Sequence, residues 1–411
     1  MLPAHPLLVA LLSIALAVPA PAGTALLGDN GGGLLGPDPA PDDAAVRLLV
    51  GFREALPEDP AAFAASTGTA LLGSIAPLRV LIVTVPPEDV ADAIARLLAA
   101  PGVAYAEPDH AVQATFEPGD VLYGLGLQWA PAAVRLPAAW DHAQGTHDIT
   151  IAMLDTGIDK AHADLLDNLC DDGAAFLTGS GIAVPLATED DNGHGTHTAG
   201  IAAAGLDNLV GIAGASNSCL MAVKVLNAAG SGFSSDVAAG LAYATDRGAR
   251  IASMSLGSPD SDATLQRAVE YALAGGVLVV AAAGNAGCDG SADTVDYPGR
   301  YPAVLTVAAL ATPTTVADYS SCGPEVDIAA PGSDVWSTYP GNSYWSLSGT
   351  SMATPLVAGI AALAWSCHPD WNAGQVRWAL RVTADGLGAP PEQVGAGRVD
   401  ALGAVQATGC A

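Results

Sequence analysis

Five short, unbroken apolar runs punctuate the last two-thirds of this chain: TIAMLD (150–155), LMAVKVL (220–226), RIASMSL (250–256), VLVVAAAG (277–284) and AVLTVAAL (303–310). A strand with one wet face alternates apolar and polar residues, whereas a run without alternation is buried on both faces. Between the runs lie stretches that are apolar at helical spacing, such as SDVAAGLAYATDRG and TLQRAVEYALAGG. Strand and helix in alternation predict an α/β domain over 117–411, a parallel sheet with helices on both faces. Sites in such sheets lie beyond the carboxyl ends of the strands. Residues able to do chemistry should therefore stand just after these runs.

Residues 45–116 read as a separate, small α+β domain. VRLLVGF, RVLIVTVP and VAYAEPDHAV are strand-like, and helices are expected over 58–66 and 90–100, the second stopped by Pro101-Gly102. Two strand–helix units predict a split βαβ, ferredoxin-like layout. Residues 23–44, rich in Gly, Pro and Asp, read as a flexible linker. Residues 1–22 read as a signal peptide, with an apolar run from Leu7 to Val18 and a small-x-small site at Ala20-Pro21-Ala22. The n-region carries no Lys or Arg, so a short membrane anchor is the competing reading; the brevity of the run and the Pro/Gly stretch after it oppose that. The expectation is a secreted, extracellular protein without stable membrane association, with a monomer as the default state.

Charge narrows the function. Lys and Arg number 14 against 42 Asp and Glu, a net charge of −28, and the two lysines are Lys160 and Lys224. Nucleic-acid binding needs a basic footprint that is missing here, and an anionic membrane would repel the chain. With 51% apolar residues in 411, there is ample material for buried cores. The acidity suits a secreted protein, a saline medium or calcium sites, and does not choose among them. Six cysteines (Cys170, Cys219, Cys288, Cys322, Cys367, Cys410) form no CxxC pair, which argues against zinc. In an oxidising compartment they suggest disulfides, with every pairing open.

The residues beyond the strands are the informative ones. Asp155 closes TIAMLD, His194 sits in DNGHGTHTAG at the mouth of a helix, and Ser351 sits in SGTSMATP, where Gly349 is expected to permit a sharp turn into a helix. A serine hydroxyl is a poor nucleophile until a neighbouring base takes its proton. Histidine titrates near neutrality and serves as that base, and an aspartate orients it. A helix N-terminus at Ser351 would offer free N–H groups to a developing oxyanion, and Asn285, after another strand, could add a side-chain donor. Taken singly, each has a duller reading: a strand-end turn, a structural histidine, an N-cap serine. The joint pattern is what counts. His194 and His197 as a metal pair is disfavoured, because HGTH lacks the i, i+4 spacing and the intervening glutamate of HExxH.

ITIAMLDTGID, NGHGTHTAG and GTSMATP, in this order and joined by ASMSLG and VVAAAGN, resemble the signatures of the subtilases, the subtilisin-like serine peptidases, over 117–411. The front domain resembles the subtilisin propeptide, chiefly through VAYAEPDHAV. The resemblance implies a serine endopeptidase acting on polypeptides through an acyl-enzyme on Ser351, with Asp155, His194 and Asn285 as its partners. It assigns backbone binding of the substrate to Ser255, Leu256 and Gly257 on one edge and to Gly230, Ser231 and Gly232 on the other. It assigns one wall of the pocket for the side chain before the cut to Ala282–Gly284. Where the family often has an acidic residue after the oxyanion asparagine, this chain has Ala286, which leads to an expected apolar or aromatic preference.

The resemblance also implies that the propeptide acts as folding helper and inhibitor and is removed by self-cleavage near 112–120. It implies a structural Ca2+ held by Asp120, Asp164 and Asn208 with the carbonyls of Leu206, Val210 and Ile212, and no catalytic metal, redox or nucleotide cofactor. It favours a Cys288–Cys322 bridge, leaving Cys170–Cys219 and Cys367–Cys410 by elimination. Two alternatives stay open: a non-catalytic relative that retains its propeptide as a binding or regulatory module, and a metallopeptidase using the histidine pair.

Overall fold

The structure is a computed structural model that describes residues 45–110, 115–185, 187–288 and 293–410. The expected signal peptide (1–22) and linker (23–44), and residues 112–114 of the expected cleavage window, lie outside the described residues. The described chain forms two compact units, divided between residues 113 and 114.

In the first unit the order is β1 (Val46–Phe52), α1 (Pro60–Ser66), β2 (Ala70–Ile75), β3 (Val80–Val85), α2 (Val90–Ala99) and β4 (Val103–Pro108). The sheet runs β2-β3-β1-β4, and the paired strands are antiparallel, the doubled split βαβ arrangement. Helix α1 begins where the Asp59 side chain accepts the Ala62 N–H and Pro60 fills the first turn. Alternate residues of β1 and β3 (Leu48, Val50, Leu81, Val83) bury against Ala93 and Leu97 of α2. Strand β2 was not among the three expected: ALLGSI is largely exposed at a sheet edge, and Gly73 interrupts its pattern.

The second unit is built on six longer parallel strands, β5 (Thr150–Asp155), β6 (Cys219–Lys224), β7 (Ile251–Met254), β8 (Leu278–Ala282), β9 (Leu305–Thr312) and β10 (Val326–Pro331), with the two-residue strand Ala174–Ala175 parallel beside β6. Their order is β10-β9-β8-β7-β5-β6, and short antiparallel strands at the edges make the sheet mixed. The apolar runs are buried along nearly their whole length, as expected of strands covered on both faces. From β5 the chain goes to β6 on one side and then crosses to β7 on the other. That reversal makes the carboxyl end of β5, which is Asp155, the switch point where a crevice opens.

Helices cover both faces. One side carries α3 (His194–Ala203), and α4 (Ser234–Asp246) and α5 (Ala263–Ala274) pack with a second apolar cluster on the other. The longest helix, α6 (Thr350–Cys367), is apolar and long enough to cross a bilayer by composition alone, yet it is buried in the protein core. The six cysteines pair as Cys170–Cys219, Cys288–Cys322 and Cys367–Cys410.

Candidate active site

Asp155 and His194 meet because a strand ends where a helix begins. The Asp155 carboxylate is buried at the tip of β5 and His194 is the first residue of α3. The fit is tight: a methyl on Gly195 would lie 2.1 Å from the Gly157 carbonyl, so only glycine lets the helix start this close to the 155–157 turn. His194 Nδ1 is 2.7 Å from Asp155 Oδ1. A carboxylate only accepts, so Nδ1 carries the proton and Nε2 is left with its lone pair, the tautomer a general base needs.

The carboxylate is held from three sides. Asp155 Oδ1 also accepts the Thr156 N–H at 2.7 Å, and Oδ2 accepts the Thr198 hydroxyl at 3.1 Å. Burial works against a charged His194, but the charge and hydrogen bond of Asp155, with the charge of Asp190, outweigh it and raise the imidazole above its ordinary value. Asp190 also fixes the turn before α3. Its oxygens accept the N–H groups of Asn192, Gly193 and Thr196 and the hydroxyls of Thr156 and Thr196.

Ser351 arrives on the first turn of α6. Its hydroxyl donates to the Ser255 carbonyl at 3.3 Å, and the Ser255 hydroxyl donates to the Ser351 carbonyl at 2.9 Å. The second bond follows from sequence: Pro355 has no N–H, so the carbonyl four residues back has no helical donor and takes the Ser255 hydroxyl instead. Among the described residues, Ser351 Oγ is bonded to Ser255 rather than to His194. Such contacts are often loose in a free enzyme and tighten on substrate.

Asn285 is anchored through its oxygen, which accepts the Thr350 N–H at 2.9 Å and the Thr350 hydroxyl at 3.1 Å, so its NH₂ is free to donate elsewhere. The expected role of Gly349 needs correction. Its φ of 160° and ψ of 163° are extended backbone, not a sharp turn. What it supplies is space: a methyl there would stand 3.6 Å from the Ser351 N and 3.7 Å from the Asn285 Nδ2, in the region both donors can reach.

An open cleft is lined by His194, Gly230–Gly232 and Ser255–Gly257, so the imidazole and the two expected substrate edges face one space. Gly284 lies at the end of the next strand, β8, while Ala282 is buried within that strand and paired to Val307.

Asp120 and Asp164 are both buried, and burial raises both carboxyls, Asp164 to about 6, with the Asp120 charge adding to the rise at Asp164 and the Asp207 charge to the rise at Asp120. Neither has an ion-pair partner among the described residues. The Asn208 side chain donates to Asp164 at 2.8 Å, and the loop has a left-handed backbone at Asp207, Leu209 and Gly211. This two-residue repeat sets the even positions Leu206, Asn208, Val210 and Ile212 apart from the odd ones. Among the described residues no group of three His, Cys, Asp or Glu converges on a common point, so a cation here would depend on amide and backbone oxygens beside the two acids.

Sequence reasoning missed several residues that build the site. Thr198 follows His194 by four, the spacing of one helix face, which could have signalled it. Asp190, Thr350 and the buried Lys224, whose ammonium meets the Thr156 carbonyl and Asp191, carried no comparable signal. His197 is buried with Nε2 on the Trp345 carbonyl at 3.0 Å.

The chain as a whole is similar to known proteins. Residues 146–397 match the subtilase family, and residues 47–109 match the fervidolysin N-terminal prodomain. The chain is 40% identical over 363 residues to the M-protease of Shouchella clausii, covering 85% of this chain and 89% of that protein. It is 46% identical over 242 residues to subtilisin DY of Bacillus licheniformis, 59% of this chain and 85% of the relative. It is 45% identical over 281 residues to subtilisin Savinase of Lederbergia lenta, 68% of this chain and 99% of the relative.

Proposed function

The chain belongs to the subtilase family as a serine endopeptidase with a prodomain, and from that premise we propose that Asp155, His194, Ser351 and Asn285 carry its chemistry in a secreted, self-processing precursor. The observation that supports this most is the joining of three elements at one cleft: the tip of β5 holds His194 at the start of α3, His194 lines the cleft, and the first turn of α6 is bonded through Ser351 to Ser255 on the cleft wall.

In this reading a peptide lies as an extra strand between Ser255–Gly257 and Gly230–Gly232. The Ser351 hydroxyl leaves the Ser255 carbonyl, passes its proton to His194 Nε2 and attacks the scissile carbonyl. Asp155 stabilises the resulting imidazolium. The Ser351 N–H and Asn285 NH₂ take the oxyanion. His194 then protonates the leaving amine, and water, activated the same way, releases the acyl group from Ser351.

The first unit acts as the intramolecular inhibitor and folding helper, and is released by a cut near 112–120. Asp120, Asp164 and Asn208, with the carbonyls of Leu206, Val210 and Ile212, hold a structural Ca2+. Hard oxygen donors around two buried, uncompensated acids suit that ion. When bound, it supplies the positive charge that lets both carboxylates ionise in the interior.

The test is intact mass and N-terminal sequence of the secreted wild type beside Ser351→Ala. Loss of about the first 115 residues in the wild type alone supports self-processing by Ser351. Equal processing of both assigns the cut to another protease. Secretion without processing in either favours a non-catalytic protein that keeps its prodomain.

A further inference from the structure

The residue before the cut is chosen, on the family pattern, between the segment after β7 and the segment after β8. These two strands are parallel neighbours, and on that pattern the segments just beyond them, Ser255–Ser258 and Ala283–Gly284, would be the two walls. The segment around Asp296 bridges the two. Its own N–H donates to the Ala283 carbonyl at 2.8 Å, and the next residue, Tyr297, exchanges two backbone hydrogen bonds with Ser258, at 2.8 and 3.0 Å. It is therefore stitched to both walls.

The Asp296 side chain lies against glycine on each side. A methyl built on Gly284 would fall 2.6 Å from Asp296 Oδ2, and one on Gly257 would fall 2.7 Å from Asp296 Cβ and 3.1 Å from Oδ2. A side chain on either wall would collide with the acid or cover it; glycine on both leaves it reachable. Among the described residues the carboxylate has no hydrogen-bond or ion-pair partner. Arg300, the nearby cation, is committed to Asp293 and lies over the Tyr297 ring at 5.4 Å.

We propose that Asp296 selects substrates with an arginine or lysine side chain immediately before the scissile bond, an inference that rests on the catalytic reading above. A charged group lying between two glycines, with no partner of its own, is complementary to a cation and repels an anion. Burial already pushes the Asp296 carboxyl up and Arg300 offsets this only in part, as expected of an anion that lacks a full counter-charge. The expectation drawn from Ala286 alone, an apolar or aromatic preference, is thereby replaced: the acid comes from a different segment. The chain's own junction is a separate case. Residues 97–134 contain no Lys or Arg, so the first cut relies on intramolecular proximity rather than on Asp296.

The test uses processed enzyme and peptide p-nitroanilides that differ only in the last residue, arginine or phenylalanine. The quantity read is the ratio of the two kcat/KM values, which does not depend on how much of a variant folds. The ratio is expected to favour arginine in the wild type and to fall by about 30-fold or more in Asp296→Asn, because a partly buried charge loses its partner. A fall smaller than about tenfold overturns the proposal while leaving the peptidase intact. No cleavage of either peptide, or of casein, by wild type overturns the catalytic reading and this one with it.

Discussion

Ser351 and Ser255 hold each other through two hydrogen bonds, each hydroxyl on the other's carbonyl, at 3.3 and 2.9 Å. The pair ties the start of α6 to the segment after β7 that we propose receives substrate. A peptide docking along Ser255–Gly257 therefore meets the residue on which the nucleophile is parked. The arrangement depends on Pro355, whose missing N–H leaves the Ser351 carbonyl available.

His194 must be neutral to accept that proton, and its protonated form is stabilised by Asp155 and Asp190. Activity should accordingly fall on acidification, with the acid limb of kcat/KM above the ordinary imidazole value of 6.5. Asp190→Asn removes one stabilising charge and should move that limb to lower pH. Asp155→Asn should lower kcat/KM by about 10⁴-fold near neutrality, a scale measured on related triads rather than on this chain. A pH profile for each enzyme decides; an unmoved limb in Asp190→Asn counts against its electrostatic role.

Asn285 does two jobs that can be separated. Its oxygen anchors Thr350, and its NH₂ is the proposed oxyanion donor. Asn285→Ala loses both, while Asn285→Asp keeps an anchoring oxygen and lacks the donor. Both should lose about 10²- to 10³-fold in kcat with KM little changed. If Asn285→Asp keeps most of its kcat, anchoring rather than donation is the contribution.

Much of this site was legible because its chemistry sits at strand and helix ends that the apolar runs mark out. Asp155, His194 and Ser351 could each be placed beyond a run or at a helix mouth before any coordinates. Residues that act through others were not legible. Asp190 matters because five donors converge on it, four from residues 192–196 and one from Thr156 beyond β5, and no spacing announces that. Asp296 is dozens of residues from Gly257 and a short loop from Gly284; only the folded path brings it between them. At Gly349 sequence suggests a backbone need, whereas the extended backbone there shows that its role is room. Strand β2 escaped because an exposed edge strand has little apolar pattern to show.

Removing calcium should destabilise the protein without touching the triad. Chelation would leave Asp120 and Asp164 buried side by side with no counter-charge. A ligand that binds only the folded state contributes RT ln(1 + [L]/Kd), about 2.7 kcal/mol at a hundredfold excess over Kd. Thermal melts of Ser351→Ala, which cannot digest itself, should therefore drop by several degrees when a chelator replaces calcium, and Asp164→Asn should abolish that difference. An identical Tm in calcium and chelator would remove the ion from this reading.

His197 predicts a second stability effect, its imidazole being shifted the opposite way from that of His194. Burial, with the nearby His194, pushes its imidazole down to about 4, against 6.5 in the unfolded chain. Between those values the unfolded state binds a proton that the folded state does not. Stability from this group is then complete above pH 6.5 and is lost as pH falls toward 4. The loss is on the order of 3 kcal/mol across the window. Carboxylates titrate in the same range, so the comparison is between Ser351→Ala and the double variant Ser351→Ala/His197→Asn at fixed calcium, melted at about pH 7 and about pH 5. The double variant should start less stable, since the bond to the Trp345 carbonyl is altered, yet lose less Tm on acidification. Equal losses in the two proteins would mean that His197 accepts its proton without cost to the fold.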